Sequence, residues 1–175
     1  MPELLFIIGS LREASASRAT ARAIAARLDG KATCTMADIG QLPHYDADIS
    51  DNAAVDAFVA QVGAADGVVF LAPEYNYSIP GVLKNAIDWA SRPAFESVFR
   101  HKPCFVISIS GGALGGVRAQ AHLKYILNGM LALVHPGREI VVTRASAKVR
   151  DGMLEDETIL GFIDDEIAGF LGSLG

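Results

Sequence analysis

Three segments of this chain are apolar nearly throughout: residues 4–8 (LLFII), 67–72 (GVVFLA) and 104–109 (CFVISI). A strand with one wet face alternates polar and apolar residues, so runs of this kind predict strands covered on both sides. Each is followed by a helical period. The pattern predicts helices over 18–28 after a Ser17 N-cap, over 53–64, from Pro80 along the stripe Val82, Leu83, Ala86, Ile87 and Ala90, and from the glycine loop to about residue 133. Ile159, Leu160, Ile163, Ile167, Phe170, Leu171 and Leu174 mark a last helix. Residues 32–37 alternate and predict a half-covered strand near an edge; 139–143 predict a short fifth strand.

Strands alternating with helices require parallel crossovers, and helices then cover both faces of the sheet. The expectation is one doubly wound α/β domain over residues 1–175. In such a sheet ligands bind beyond the carboxyl ends of the strands, where the strand order reverses. The loops of interest are therefore 9–17, 73–78 and 110–116.

Composition narrows the partners. A net charge of −5 with mixed signs supplies no basic patch for nucleic acid. The run at 4–8 is too short to span a bilayer and no basic segment precedes it, so neither membrane insertion nor a targeting signal is expected. Cys34 and Cys104 lie inside strand-like runs without CxxC or zinc spacing. They predict buried thiols in a reducing cytoplasm. No histidine pair has metal-ligand spacing, so no metal site is expected.

The first loop, GSLREASASR, combines Ser10, Arg12, Ser15, Ser17 and Arg18 with a helix start, which suits an anion. Glu13 opposes that reading unless it faces solvent. The second, PEYNYS, places Pro73, Glu74, Tyr75, Asn76 and Tyr77 at a strand mouth, a poor turn but a good shelf for a flat polar ring. The third, SGGALGG, offers Ser110, Gly111 and Gly112 as backbone without bulk, so a planar ligand can lie close. The spacings exclude G-x-G-x-x-G, the P-loop and the G-x-S-x-G elbow. Together the loops predict a phosphorylated planar ligand; FMN has that shape, and other nucleotides share it.

In the segments GSLREASASR, PEYNYSIPGVLKNAIDW and SISGGALGGVRAQAHL, in this order, the chain resembles the NADPH-dependent FMN reductase family of flavodoxin-like proteins. The resemblance implies a five-stranded parallel sheet in the order 2-1-3-4-5, bound FMN, and NAD(P)H as co-substrate. It implies that Ser10, Arg12, Ser15, Ser17 and Arg18 surround the phosphate. Pro73, Glu74, Tyr75, Asn76 and Tyr77 then hold the isoalloxazine, with Ser110, Gly111 and Gly112 on its other side. The implied reaction is ping-pong hydride transfer through flavin N5, without a protein nucleophile or general base. Implied acceptors are quinones, ferric chelates, chromate, azo compounds or free flavin. A homodimer or dimer of dimers is implied as well, and Trp89 on the helix after the second loop is either core or a subunit contact. Glu13-Ala14 and Ser17 depart from the family pattern. A non-enzymatic flavodoxin-like electron carrier is the alternative, and a flavin-free α/β domain a further one.

Overall fold

The computed structural model describes residues 1–174. Strands β1 (Glu3–Ile8), β2 (Thr33–Met36), β3 (Gly67–Pro73) and β4 (Pro103–Ile109) alternate with helices α1 (Ala16–Arg27), α2 (Ala53–Ala64), α3 (Gly81–Ala90) and α4 (Val117–Gly129). Short strands β5 (Leu133–Val134) and β6 (Ile140–Val142) follow, then a hairpin of β7 (Val149–Arg150) and β8 (Met153–Leu154), and helix α5 (Glu157–Gly172). The main sheet is parallel in the order β2-β1-β3-β4-β5, as expected, and its neighbours in that order reverse between β1 and β3.

Pleating sorts the strand side chains between two cores. Leu5 and Ile7 of β1 and Val68 and Phe70 of β3 meet α2, α3 and α4 through Phe58, Leu83, Ile87 and Leu123. Their neighbours Leu4, Phe6, Val69 and Leu71 meet α1 and α5 through Ile24, Ile163 and Phe170. The absence of polar alternation in the sequence follows directly, since both faces are dry.

Two expectations change, and one left open closes. The helix after the glycine loop ends at Gly129 rather than near 133, because Leu131 turns into the left-handed region at φ 62°. The fifth sheet position is shared: β5 pairs the start of β4 and β6 pairs its end, making six strands. Pro136, which has no N–H to give a ladder, lies in the excursion between them. Of the two readings of Trp89, core and subunit contact, its surroundings favour core. Trp89 is 8% exposed, donates Nε1–H to the Pro43 carbonyl at 2.8 Å and meets Tyr45 edge-on at 4.9 Å.

Helix α5 begins at an N-cap, Asp156, whose Oδ1 accepts from Ile159 N–H at 3.2 Å while Oδ2 pairs with Lys148 at 2.7 Å. Those bonds, Lys148 first, hold its carboxyl below the ordinary 3.8. A depressed carboxyl stabilises the fold above the unfolded value and stops doing so as pH falls through the folded one. Asp156→Ala is expected to cost about 1 kcal/mol at neutral pH. In thermal melts the difference between the two proteins should shrink toward zero well below pH 3.8.

Candidate flavin site

Helix α1 begins one residue pair earlier than the sequence suggests. Ser15, not Ser17, is the N-cap: its backbone is extended and its Oγ accepts from Arg18 N–H at 3.2 Å. The reason is that Ser15 N–H already bonds back to the Arg12 carbonyl, which closes the loop and turns Ala16 into the helix. Ser17 therefore sits inside the first turn, 2% exposed, and Ser10 is 4% exposed at the end of β1. Neither hydroxyl bonds to another described residue, and the N–H groups of Ala16 and Ser17 also lack protein acceptors.

These groups open into a cleft with a cavity volume of ≈ 150 Å³. Its walls carry Ser10, Arg12, Ser15 and Ser17 at one end, Pro73, Glu74 and Tyr75 along one side, and Ser110 and Gly111 along the other. Three segments distant in sequence thus meet at the carboxyl ends of β1, β3 and β4, as the topology requires. Gly112 flanks this wall; its N–H donates to Ser110 Oγ at 3.1 Å. Arg18 is not part of the wall. Its guanidinium turns toward Glu13, with Nε 3.5 Å from Oε2, buried and without a hydrogen bond.

The second loop is a tight two-residue turn. Tyr75 and Ser78 exchange both backbone hydrogen bonds, at 2.9 and 3.1 Å, while Asn76 and Tyr77 take φ 49° and 66°. Two left-handed residues between paired strand ends make a type I′ geometry. The turn is satisfied by its own ends, so the exposed N–H groups of Asn76 and Tyr77 have no acceptor among the described residues. Tyr77, 68% exposed, lies under the Arg118 guanidinium at 4.7 Å.

Glu74 behaves differently from its neighbours. Its carboxylate accepts from the N–H groups of Arg118 and Ala119 at 3.1 and 3.3 Å and pairs with Arg118 Nη1 at 3.4 Å. It caps α4, whose own N-cap is Gly116 at φ 88° and offers no side chain. One carboxylate thereby ties the second loop to the helix that follows the third. Ser78 adds a second tie, 3.0 Å from His122 Nδ1 on the next turn of α4.

Ser146 was not anticipated. It follows β6 on a single 3-10 turn (Ala145–Lys148) and lines the cleft beside Gly111. Ser110 N–H to Val142 O, Ala145 N–H to Ser110 O and Arg144 N–H to Gly112 O hold that turn against the glycine loop. The signal was available: the residue lies just past the carboxyl end of a parallel strand, where the other three loops were sought.

The donor set fits a flavin phosphate. Two nearly buried hydroxyls, two free N–H groups at a helix start and an arginine without an ion-pair partner among the described residues point at one end of the cleft. The other end is lined by a tyrosine face, small residues and backbone, which suits a flat ring. Thiol chemistry has no place here. Burial pushes Cys34 up to about 11, with Glu3 adding to it, and Cys104 to about 12 despite the opposing charge of Lys102. Both are unbridged. Iodoacetamide at neutral pH is expected to leave the folded protein's mass unchanged and to add two groups after unfolding.

The model of a known family, NADPH-dependent FMN reductase, matches residues 2–147. The chain belongs to this family. An FMN reductase of this kind is an NAD(P)H-dependent oxidoreductase with FMN as cofactor and NAD(P)H as co-substrate. A 2-hydroxy-1,4-benzoquinone reductase from a Burkholderia species is 42% identical, over 70% of this chain and 68% of that protein. A quinone reductase of Escherichia coli K12 is 35% identical, over 96% of this FMN reductase and 93% of its own length. Among solved structures, the flavoenzyme NAD(P)H:(acceptor) oxidoreductase FerB from Paracoccus denitrificans superposes with a TM-score of 0.90 at 30% identity, covering 99% of this chain and 97% of that one.

Proposed function

We propose that this FMN reductase passes electrons from NAD(P)H to small quinone-type acceptors, with the flavin held in the cleft between the three loops. The observation that carries the reading is the cleft itself, in which unpaired donors at the start of α1 continue into a shelf of Pro73 and Tyr75 faced by Ser110 and Gly111. The names of the relatives, quinone and benzoquinone reductases, support the acceptor class.

In this reading Ser10, Arg12, Ser15 and Ser17, with the N–H groups of Ala16 and Ser17, bind the phosphate dianion, and Arg18 stands behind them. Asn76 and Tyr77 direct backbone donors at the ring edge while Pro73 and Tyr75 orient its plane. Glu74 holds that shelf against α4. Ser110, Gly111, Gly112 and Ser146 close the opposite side and admit the ring by lacking bulk. FMN, when bound, supplies the redox chemistry between NAD(P)H and acceptor. The chain's own task is orientation and charge: fixed donors near the ring favour its reduced, more negative state. No side chain need exchange a proton for the flavin to be reduced.

The wider reading places the protein in the cytoplasm as a homodimer or a dimer of dimers. Arg118, His122 and Tyr125 share one face of α4, with Tyr125 82% exposed and Tyr77 beside Arg118, which supplies a surface for a second copy. Among the described residues no helix is long and apolar enough to cross a membrane.

The deciding experiment is an absorbance spectrum of the purified protein before and after anaerobic NADH or NADPH, followed by benzoquinone. The expected result is a flavin spectrum that bleaches with the nicotinamide and returns with the quinone. A colourless protein that takes up no added FMN would overturn the proposal. Bound FMN that neither nucleotide bleaches would favour the electron-carrier alternative.

A further inference from the structure

The start of α1 gathers donors and positive charge, and the loop holds a single carboxylate among them. Glu13 sits between Arg12 and Ala14, both of which line the cleft. Its Oε1 accepts from Arg22 Nη2 and its Oε2 lies 3.5 Å from Arg18 Nε. Arg18 and Arg22 are one helical turn apart on α1, so their guanidiniums stand side by side and Glu13 bridges them. The carboxylate is 75% exposed, against 26% and 40% for the two arginine side chains. No packing fixes it in place; the two cations do.

Arg18 is the side chain this contact alters most. Its Nε is buried, makes no hydrogen bond and faces the carboxylate at a distance longer than a good charge-assisted bond. A phosphate at the head of α1 offers oxygens of the same charge and kind as those of Glu13. The two anions compete for one guanidinium and repel each other across the loop.

We propose that Glu13 is an internal rival of the flavin phosphate, and that it sets how strongly this protein prefers a phosphorylated flavin to the unphosphorylated one. The inference rests on the cleft holding FMN as described above. Glu13 occupies Arg18, adds a negative charge beside the phosphate position, and so lowers the affinity for FMN while leaving riboflavin unaffected. Its neutral isostere frees Arg18 and removes the repulsion.

The test is titration of FMN and riboflavin into the flavin-free full chain, followed by quenching of flavin fluorescence, for the native protein, Glu13→Gln and Glu13→Gln/Arg18→Met. Glu13→Gln is expected to bind FMN about tenfold more tightly at low ionic strength, with the gain shrinking as salt is added. Riboflavin affinity should be the same in both. The double variant should lose most of the gain, since the gain acts through Arg18. Unchanged or weaker FMN binding by Glu13→Gln overturns the proposal, because Glu13 would then position Arg18 rather than occupy it. An equal gain for riboflavin overturns it too, by removing the phosphate from the effect. If neither flavin binds the native chain or the variants, the reading of the cleft falls and this inference falls with it.

Discussion

Replacing Arg12 by alanine is expected to weaken FMN binding roughly 10- to 100-fold while leaving riboflavin binding within about twofold. Arg12 lines the cleft and has no carboxylate partner among the described residues, so its guanidinium is free for an anion. A hydrogen bond to a charged group contributes about 1.5–3 kcal/mol, which sets the range. The loss should be read by fluorescence titration at two salt concentrations. Counterion screening predicts that the native protein loses FMN affinity with salt more steeply than the variant. An Arg12→Ala protein that loses FMN and riboflavin equally would mean that the arginine supports the loop's shape instead. The same assay then separates this residue from Glu13, whose removal is expected to shift FMN affinity in the opposite direction.

Gly115→Ala is expected to destabilise the fold by about 2–5 kcal/mol and to lower the melting temperature by about 10 °C. Two costs combine. Gly115 sits at φ +60°, where alanine is strained by about 1 kcal/mol, and a β-carbon there would run into Val141 Cγ1 and lie 3.0 Å from Thr143 Cγ2. Those atoms belong to β6 and its exit, so relief would push the glycine loop away from the sheet. FMN binding should weaken alongside stability, because Ser110 and Gly111 move with the loop. Gly161→Ala in α5 is the matched control. Nothing lies within 4 Å of its added carbon, so it should stabilise by about 0.5–1 kcal/mol. Equal melting temperatures for native and Gly115→Ala proteins would mean that the loop yields freely and that its close packing has no role.

These two predictions mark what the sequence makes legible. Apolar runs at 4–8, 67–72 and 104–109 locate three central strands because burial on both faces leaves no polar position to blur them. Helix α2 is found at its observed bounds, where Asn52 caps it by accepting from the N–H groups of Ala54 and Val55. Other boundaries depend on bonds that no pattern records. Ser15 outcompetes Ser17 as the cap through the bond from its own N–H to Arg12. The split of the fifth strand position follows from Pro136 and from the left-handed turn at Leu131, which a helical stripe continues straight past.

The site was legible in parts. Its three loops could be located from topology alone, and the residue types in them name the chemistry. The fate of each side chain could not. Glu74 is read in the sequence as part of the ring shelf; it lines the cleft, and its carboxylate also caps α4 from 44 residues away. Trp89 reads as either core or subunit contact in the sequence and is tied into the core through Pro43, 46 residues earlier. Ser146 was missed because it follows β6 rather than one of the three central strands, and it reaches the cleft through the pairing of β6 with β4. Each depends on a partner distant in sequence, and periodicity carries only local information.

The turn at Asn76 and Tyr77 has a consequence for how such a protein can vary. Its outward N–H groups are presented by backbone conformation, with the turn's own ends bonded to one another. A substitution that tolerates the left-handed region keeps those groups in place whatever side chain it brings. Tyr77 can therefore be exchanged for glycine, asparagine or aspartate with the donors intact, and a library at this position would vary the exposed surface over a constant backbone. β-Branched residues and proline are the forbidden letters there, because they remove the conformation itself. The shelf is written in torsion angles, which leaves its chemical surface open to drift.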